Sequence, residues 1–311
     1  MPNRTPARFA AQRQRFAAVI PFPGLPFPNL AKSKRIRDPQ GLPESLGWMG
    51  AMEVRLATTK KDIRKAQKLR FKVFYMEGGA RADPRSAFSR RDICPFDSFC
   101  DHLLVIDHAA RNRFGRVKPK VVGVYRLLRQ EDAARAGGFY TAREFNIAPL
   151  LARHPDKRFL ELGRSCVHRD WRSKRVVELL WRGIWTYVRH HRIDVLIGCA
   201  SLPGVNAIEH ADVLRYLDAH ARADGEWSAG ARADRRAPVP PEPVATAIPP
   251  QRRLPPLVKG YLRVGARFGD GAVVDRQFGT TDVFVIMPVA DIDPRYRQYF
   301  GGDAAEVNVA A

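Results

Sequence analysis

The chain has 311 residues, 45% of them hydrophobic, enough for one large domain or two small ones with a packed core. Its formal net charge of +21 excludes a charge-balanced surface and directs attention to anionic partners: lipid headgroups, nucleic acid or a small acidic carrier protein. No apolar run approaches the roughly 18 residues a membrane span needs, so any contact with a bilayer is expected to be peripheral.

In chain order, residues 1–37 carry no Asp or Glu, several Arg and Lys, and an apolar patch broken by Pro21, Pro23, Pro26 and Pro28. Prolines at that density exclude a helix and a secretory signal; the composition suits an organelle transit peptide or a disordered basic arm near anionic lipid, and residues 1–50 are expected to be such an arm. A domain at 51–300 and a tail at 301–311 follow. Residues 53–58 read as an opening strand and residues 60–75 as a helix with Ile63, Ala66, Leu69, Val73 and Phe74 inward. Residues 77–97 are charged and irregular, a length expected of a functional loop or lid. Two strands at 102–107 and 121–128 are expected to pair as a hairpin across the basic turn at 111–120.

The stretch from 158 to 204 is the most informative. Phe159, Leu162 and Val167 are interleaved with Glu161, Arg164 and Ser165, the pattern of a strand whose polar side chains face a cleft. From Trp171 the period changes to three and four residues through Val176, Val177, Leu180, Ile184, Trp185 and Val188, which describes a helix with one face on a sheet. That helix starts at Arg172-Ser173-Lys174-Arg175, where unpaired N–H groups and cationic side chains together suit a phosphate-sized anion. An apolar strand at 194–200 suits a sheet interior. Residues 221–250, rich in Ala, Arg and Pro, are expected to loop out of the fold, and two further strands follow at 273–278 and 281–287. The result is an α/β (α+β) fold, a mixed sheet flanked by helices.

Cys94, Cys100, Cys166 and Cys199 form no CxxC pair, and the histidines show no metal-ligand spacing, so no metal is expected and a reducing, cytoplasmic compartment is the simpler reading. Cys166 and Cys199 fall in apolar strands and read as core thiols.

The strand–basic turn–helix–strand order resembles the Gcn5-related acyltransferase (GNAT) superfamily. Its Q/R-x-x-G-x-G/A turn corresponds to Arg172-Ser173-Lys174-Arg175-Val176-Val177, with both glycine positions filled by larger residues. That substitution disfavours the close backbone approach needed for the pyrophosphate of coenzyme A and leaves room for a single pantetheine phosphate. Scattered positions, among them Leu69-Arg70-Phe71, Phe96-Asp97 and Glu161 with Arg164, resemble acyl-homoserine-lactone synthases. A more specific similarity, in Glu161-Leu162-Gly163-Arg164-Ser165-Cys166-Val167, Leu254 to Arg263 and Phe278-Gly279-Thr280-Thr281-Asp282-Val283, is to the bacterial L-ornithine N-alpha-acyltransferases.

This resemblance implies transfer of a 3-hydroxyacyl chain from acyl carrier protein to the α-amine of L-ornithine, giving a lyso-ornithine lipid that a second acyltransferase would esterify. No cofactor is implied beyond the phosphopantetheine thioester of the donor. Glu161 is the candidate base, either deprotonating the ammonium directly or positioning it. Arg164 and Arg126 are candidates for the amino-acid carboxylate, and Asp97 and Asp101 for the side-chain ammonium. Arg172, Lys174 and Arg175 are candidates for the pantetheine phosphate or the acidic carrier. The positive surface also suits peripheral contact with an anionic inner membrane. The alternatives are a lactone synthase acting on S-adenosylmethionine and, from another class, a basic nucleic-acid-binding protein. The latter has only the charge in its favour, since no reader motif is present, and no nucleic-acid partner is expected.

Overall fold

The computed structural model describes residues 41–239 and 248–301. Strands β1 (Gly47–Met49) and β2 (Met52–Leu56) are followed by helix α1 (Lys60–Phe71), which continues as a wider π-helical turn at Lys72–Glu77. Thr59 caps α1 by accepting from the Asp62 N–H at 3.1 Å. The short α2 (Pro84–Ser89) leads to β3 (Asp101–Asp107), β4 (Lys120–Arg129), α3 (Gln130–Arg135), β5 (Phe145–Asn146) and α4 (Ala148–Arg153). Then come β6 (Phe159–Val167), α5 (Lys174–His190), β7 (Val195–Pro203), α6 (Ala211–Ala221) and β8 (Gly230–Ala231). The described chain closes with α7 (Pro250–Arg253), α8 (Pro256–Arg263), β9 (Arg267–Asp275), β10 (Thr280–Pro288) and α9 (Pro294–Gly301).

All ten strands join one sheet in the order β1-β2-β3-β4-β6-β7-β10-β9-β8-β5. Most neighbours are antiparallel, but β6 and β7 are parallel because α5 connects them as a crossover. The mixed sheet flanked by helices is therefore as the hydrophobic periodicity predicts. On one face α5 buries Val176, Leu179, Leu180, Ile184, Tyr187 and Val188 against Leu103, Val105, Val122, Leu127, Leu160 and Leu162. Full burial of such side chains contributes about 1.5–3 kcal/mol each, which makes this helix a main source of stability. Close approach depends on Gly183, where a Cβ would lie 2.7 Å from Val54 Cγ2 and 2.9 Å from Leu103 Cδ1. Alanine there would force α5 off the sheet.

The opposite face carries α1 over Leu104, Ile106, Val124 and Cys166, and a second apolar group built from Phe96, Phe145, Phe159, Val195, Ile197 and Phe284. Strand alternation thus sends Leu160 and Leu162 to the α5 face and Phe159 and Glu161 to the other.

Three sequence expectations need correction. Leu42 and Leu46 are buried in the core and β1 pairs with β2, so the fold includes residues assigned to the arm; residues 1–40 and the tail at 302–311 lie outside the described residues. In the low-complexity stretch, Ala223, Ala229, Ala231 and Ala237 are buried and β8 pairs with β5 and β9, so most of the described part belongs to the fold. Small side chains are what permit this: Gly269 comes so near Ala229 that a Cβ would meet its carbonyl oxygen at 2.4 Å. Residues 240–247 lie outside the described residues. Finally, the segment 77–97 is fixed at its far end, with Ser86, Asp92, Cys94 and Asp97 buried, and forms a wall.

Candidate active site

The parallel pairing of β6 with β7 runs from Phe159↔Val195 to Leu162↔Gly198 and stops, although β6 continues to Val167 and β7 to Pro203. At the last rung a Cβ on Gly198 would lie 2.5 Å from the Leu162 carbonyl oxygen, so glycine lets the strands touch just before they part. The cleft so opened exposes backbone polar groups in mid-sheet, a place where a substrate supplies the missing partner.

Glu161 and Arg164 are three residues apart and would lie on opposite faces of a regular strand. A bulge brings them together. In the β4–β6 ladder Val124 faces Cys166 and Arg126 faces Gly163, so Tyr125 opposes both Arg164 and Ser165. Arg164 takes up the extra residue in the left-handed region, φ 52°, a conformation costing about 1 kcal/mol or more outside glycine. The backbone accepts this strain and in return presents the arginine on the same side as Glu161.

Glu161 is 3% exposed, and its Oε2 accepts from the Thr141 N–H at 3.0 Å. Burial raises its pKa; the Thr141 bond and Arg126 oppose that rise without cancelling it. Arg126 is adjacent: a methyl on Gly163 would touch Arg126 Nη2 at 3.7 Å and Glu161 Oε1 at 3.9 Å. The Arg164 guanidinium lies between the rings of Phe278, 4.3 Å from its centroid, and Tyr140, 4.9 Å away, with Nε 3.4 Å from Asp92 Oδ2.

Behind these groups lies a buried charge network. Arg70, 1% exposed, meets Asp92 Oδ2 at 2.8 Å through Nε and Asp97 Oδ2 at 2.7 Å through Nη2. Asp97 Oδ2 also accepts from Gln67 Nε2 at 2.9 Å and the Cys94 N–H at 3.2 Å, while Oδ1 faces Arg126 Nη1 at 3.5 Å. Burial alone would raise the Asp97 pKa, but Arg70, His102 and Arg126 outweigh it and hold the carboxyl well below the usual range. Asp97 is thereby committed to positioning Arg126 and Arg70, and does not fit the ammonium-acceptor role expected of it.

Asp101 is not part of this group. It opens β3 with its side chain on the α5 face, where the Tyr187 hydroxyl donates to its Oδ2 at 2.6 Å. Arg172, Lys174 and Arg175 sit together, exposed, at the start of α5. Arg172 bonds Glu77 Oε2 at 2.5 Å and the Val167 carbonyl at 3.3 Å, which places it at the mouth of the cleft, and Lys174 pairs with Glu178 at 3.0 Å. Ser173 makes no side-chain cap, so the first N–H groups of α5 keep their anion-binding capacity. Burial pushes the Cys166 thiol up, as a core thiol requires.

The site also holds residues that pattern reading missed. Arg70 and Asp92 are a cation inside an amphipathic helix and an acid in a charged loop, neither distinguishable from surface residues by spacing. Tyr140, Glu144 and Phe278 come from turns, which have no period to read, and Asp275 is the last residue of β9.

The chain is similar to known proteins over most of its length. The family described as "Acetyltransferase (GNAT) domain" matches residues 69–182. An L-ornithine N(alpha)-acyltransferase of Agrobacterium fabrum is 47% identical over 280 residues, covering 89% of this chain and 93% of its own. One from Rhizobium meliloti is 48% identical over 265 residues, covering 83% and 87%. The chain belongs to the L-ornithine N(alpha)-acyltransferase family. It is therefore an acyltransferase, and the ornithine-acyltransferase resemblance read from the sequence is borne out. Among solved structures, an N-acyl amino acid synthase from uncultured soil microbes overlaps 77% of this chain and 91% of its own, at 12% identity and a TM-score of 0.43. No helix among the described residues of this family member is long and apolar enough to cross a membrane.

Proposed function

We propose that the protein transfers a 3-hydroxyacyl chain from acyl carrier protein to the α-amine of L-ornithine, the first step of ornithine-lipid synthesis. The observation that carries this reading is the meeting of Glu161, Arg126 and Arg164 where β6 parts from β7, in a member of this family. In the reaction, Arg126 and Arg164 bind the amino-acid carboxylate, each through a planar guanidinium suited to paired N–H···O bonds. An amine attacks a thioester only when neutral, and Glu161 takes the proton from the α-ammonium. Burial raises its pKa, which makes it a stronger base than an exposed carboxylate.

The amine nitrogen then bonds to the thioester carbonyl carbon, and the oxygen takes up negative charge. The His168 N–H is used by the Val122 carbonyl at 2.8 Å, and alternate N–H groups of a strand point opposite ways. The Val167 N–H consequently faces the cleft, as its carbonyl does toward Arg172, and steadies the oxyanion. Collapse re-forms the carbonyl and breaks the C–S bond. The nitrogen loses its second proton, the pantetheine thiolate gains one, and an amide and a free carrier thiol leave. Arg172, Lys174 and Arg175 hold the pantetheine phosphate and the acidic face of the carrier. The amphiphilic product passes to an anionic membrane surface, to which a chain of charge +21 is attracted, and to a second acyltransferase that esterifies its hydroxyl.

Thiol release from 3-hydroxyacyl carrier protein, with ornithine, S-adenosylmethionine or no acceptor, followed by product mass, tests this reading. Ornithine-dependent release with an amide product is expected. Release driven by S-adenosylmethionine alone, or none with any amino acid, overturns it.

A further inference from the structure

The loop before β5 and the hairpin of β9 and β10 bring together three carboxylates that the steps above do not use. Glu144, Asp275 and Asp282 each offer an oxygen, and these atoms lie within 4.8 Å of one another. Glu144 is 4% and Asp282 6% exposed, and Glu144 Oε2 and Asp282 Oδ1 are buried with no hydrogen-bond partner among the described residues. Acceptors desolvated in this way cost free energy in the empty protein, which points to a donor that arrives from outside.

The group shares walls with the acyl-transfer site. Asp275 Oδ1 accepts from the Phe278 N–H at 3.0 Å, and the Phe278 ring carries the Arg164 guanidinium. On the other wall, Tyr140 stacks on Arg164, Thr141 bonds Glu161, and Glu144 follows three residues later. Thr141 Oγ1 also accepts from Cys199 Sγ at 3.7 Å, at the point where β7 has left β6. Asp282 lies opposite Ser201, which is exposed on the end of β7 that has parted from β6, so the acids are reached from the same cleft.

We propose that Glu144, Asp275 and Asp282 form the subsite for the side-chain ammonium of the acceptor, so that a diamino acid is selected by a charge at each end. Its carboxylate lies on Arg126 and Arg164, and its distal ammonium on the three acids. This assignment rests on the amino-acid acceptor proposed above and replaces Asp97 and Asp101 in that role. Three N–H···O bonds of about 2.8 Å around one tetrahedral nitrogen need acceptors about 4.6 Å apart. That spacing lies within the 4.8 Å limit of the group. A hard divalent metal with oxygens at about 2.0–2.6 Å also spans ligand pairs within that limit, so chelation forms one arm of the test.

The test uses the full chain with 3-hydroxyacyl carrier protein and compares ornithine with norvaline, the same carbon chain lacking the terminal ammonium. The expected wild-type preference in kcat/KM is about 100-fold or more, since a site built to hydrogen-bond a group rejects an analogue without it. Asp282→Asn and Glu144→Gln, both close in shape to the native residue, are expected to cut that ratio about tenfold or more. Equal use of the two acceptors by the wild type, or an unchanged ratio in both variants, overturns the subsite while leaving acyl transfer to amino acids standing. Absence of acylation with either acceptor overturns the functional reading, and the subsite is then decided by binding alone. Ornithine should raise the melting temperature more than norvaline, and the difference should vanish in Asp282→Asn; no difference in the wild type overturns it. Loss of activity on chelation, restored by Mg²⁺, Mn²⁺ or Ca²⁺, makes the group a metal site and overturns it as well.

Discussion

Two sets of buried carboxylates lie on the same face of this sheet and are treated in opposite ways. Asp92 and Asp97 surround Arg70, and the network runs on to Arg126 and Arg164, so charge is balanced inside the protein. Glu144 and Asp282, beside Asp275, keep buried oxygens without donors. The consequences for their protons are opposite too: arginines hold Asp97 ionised, whereas burial, reinforced by neighbouring acids, raises the pKa of Glu144 and of Asp282. The difference separates scaffold from receptor. A network whose carboxylates are each paired with an arginine in the empty protein fixes the arginines that face the cleft, and a group of acids with no such counter-ion stores binding energy for a cation.

Glu161 stands between the two sets, bonded by one N–H and still raised, and changing it gives the largest expected effect. Glu161→Gln is expected to lower kcat by about 10²–10⁴-fold, the usual range for losing a general base. The amide keeps the shape, so the melting temperature should hardly move; wild-type turnover in the folded variant would falsify the assignment.

Next in size is the scaffold itself. Arg70→Met leaves Asp92 and Asp97 buried without their shared counter-ion and should destabilise by about 3–5 kcal/mol, read from the urea midpoint. Asp282→Asn should do the reverse in the unliganded protein and raise the midpoint, because it removes a charge that has no full set of partners. Were both substitutions to destabilise alike, the distinction between the two sets would be lost.

A pH series separates them by sign. Glu144 and Asp282 have folded pKa values above their unfolded ones, so the folded state holds more protons. Their contribution is fully present below the unfolded values near 4 and is lost as pH rises through the folded values, about 6 for Asp282 and about 8 for Glu144. Asp97 is depressed, so its contribution is present above about pH 4 and is lost below it. The unliganded melting temperature is therefore expected to fall by a few degrees between about pH 5 and 8. Glu144→Gln with Asp282→Asn should flatten that slope, and a slope unchanged in the double variant would show that other groups set it.

What could be read from the sequence follows the same division. Helix α5, strands β6 and β7 and the basic turn between them are strongly periodic, and that pattern singles out Glu161 and Arg164; Arg126, on β4, stands out only through the family resemblance. The interleaving predicts Glu161 and Arg164 on one side but not the cause: residues three apart share a face only because a bulge at Arg164 resets the alternation, and nothing in Gly163-Arg164-Ser165 announces a left-handed arginine. In sequence, Asp97 and Asp101 are equivalent acids near a strand start. Alternation and a 3₁₀ turn at Pro95–Ser98 send one into a network with Arg70 and the other to Tyr187 across the sheet. Glu144 meets Asp275 and Asp282, which share one hairpin, only through tertiary contact between segments more than 100 residues apart, which no local pattern encodes.

The smallest effect belongs to the basic start of α5, where charge is exposed and screened. Lys174 is tied to Glu178, which also accepts from the Tyr299 hydroxyl at 2.7 Å, so reversing it alone perturbs a local pair before it perturbs docking. Arg175→Glu reports more directly on an acidic carrier. It should raise the KM for acyl carrier protein by up to about tenfold at low salt, with kcat and the KM for ornithine unchanged. The increase should shrink as ionic strength passes about 0.15 M, where charges more than about 8 Å apart are largely screened. A KM that rises equally at high salt would mean that Arg175 makes a short contact to the donor, and a KM that does not rise at all would move carrier docking away from this turn. Either result leaves the cleft chemistry intact, because Glu161, Arg126 and Arg164 are held by β4, β6 and the network around Arg70, none of which this exposed charge touches.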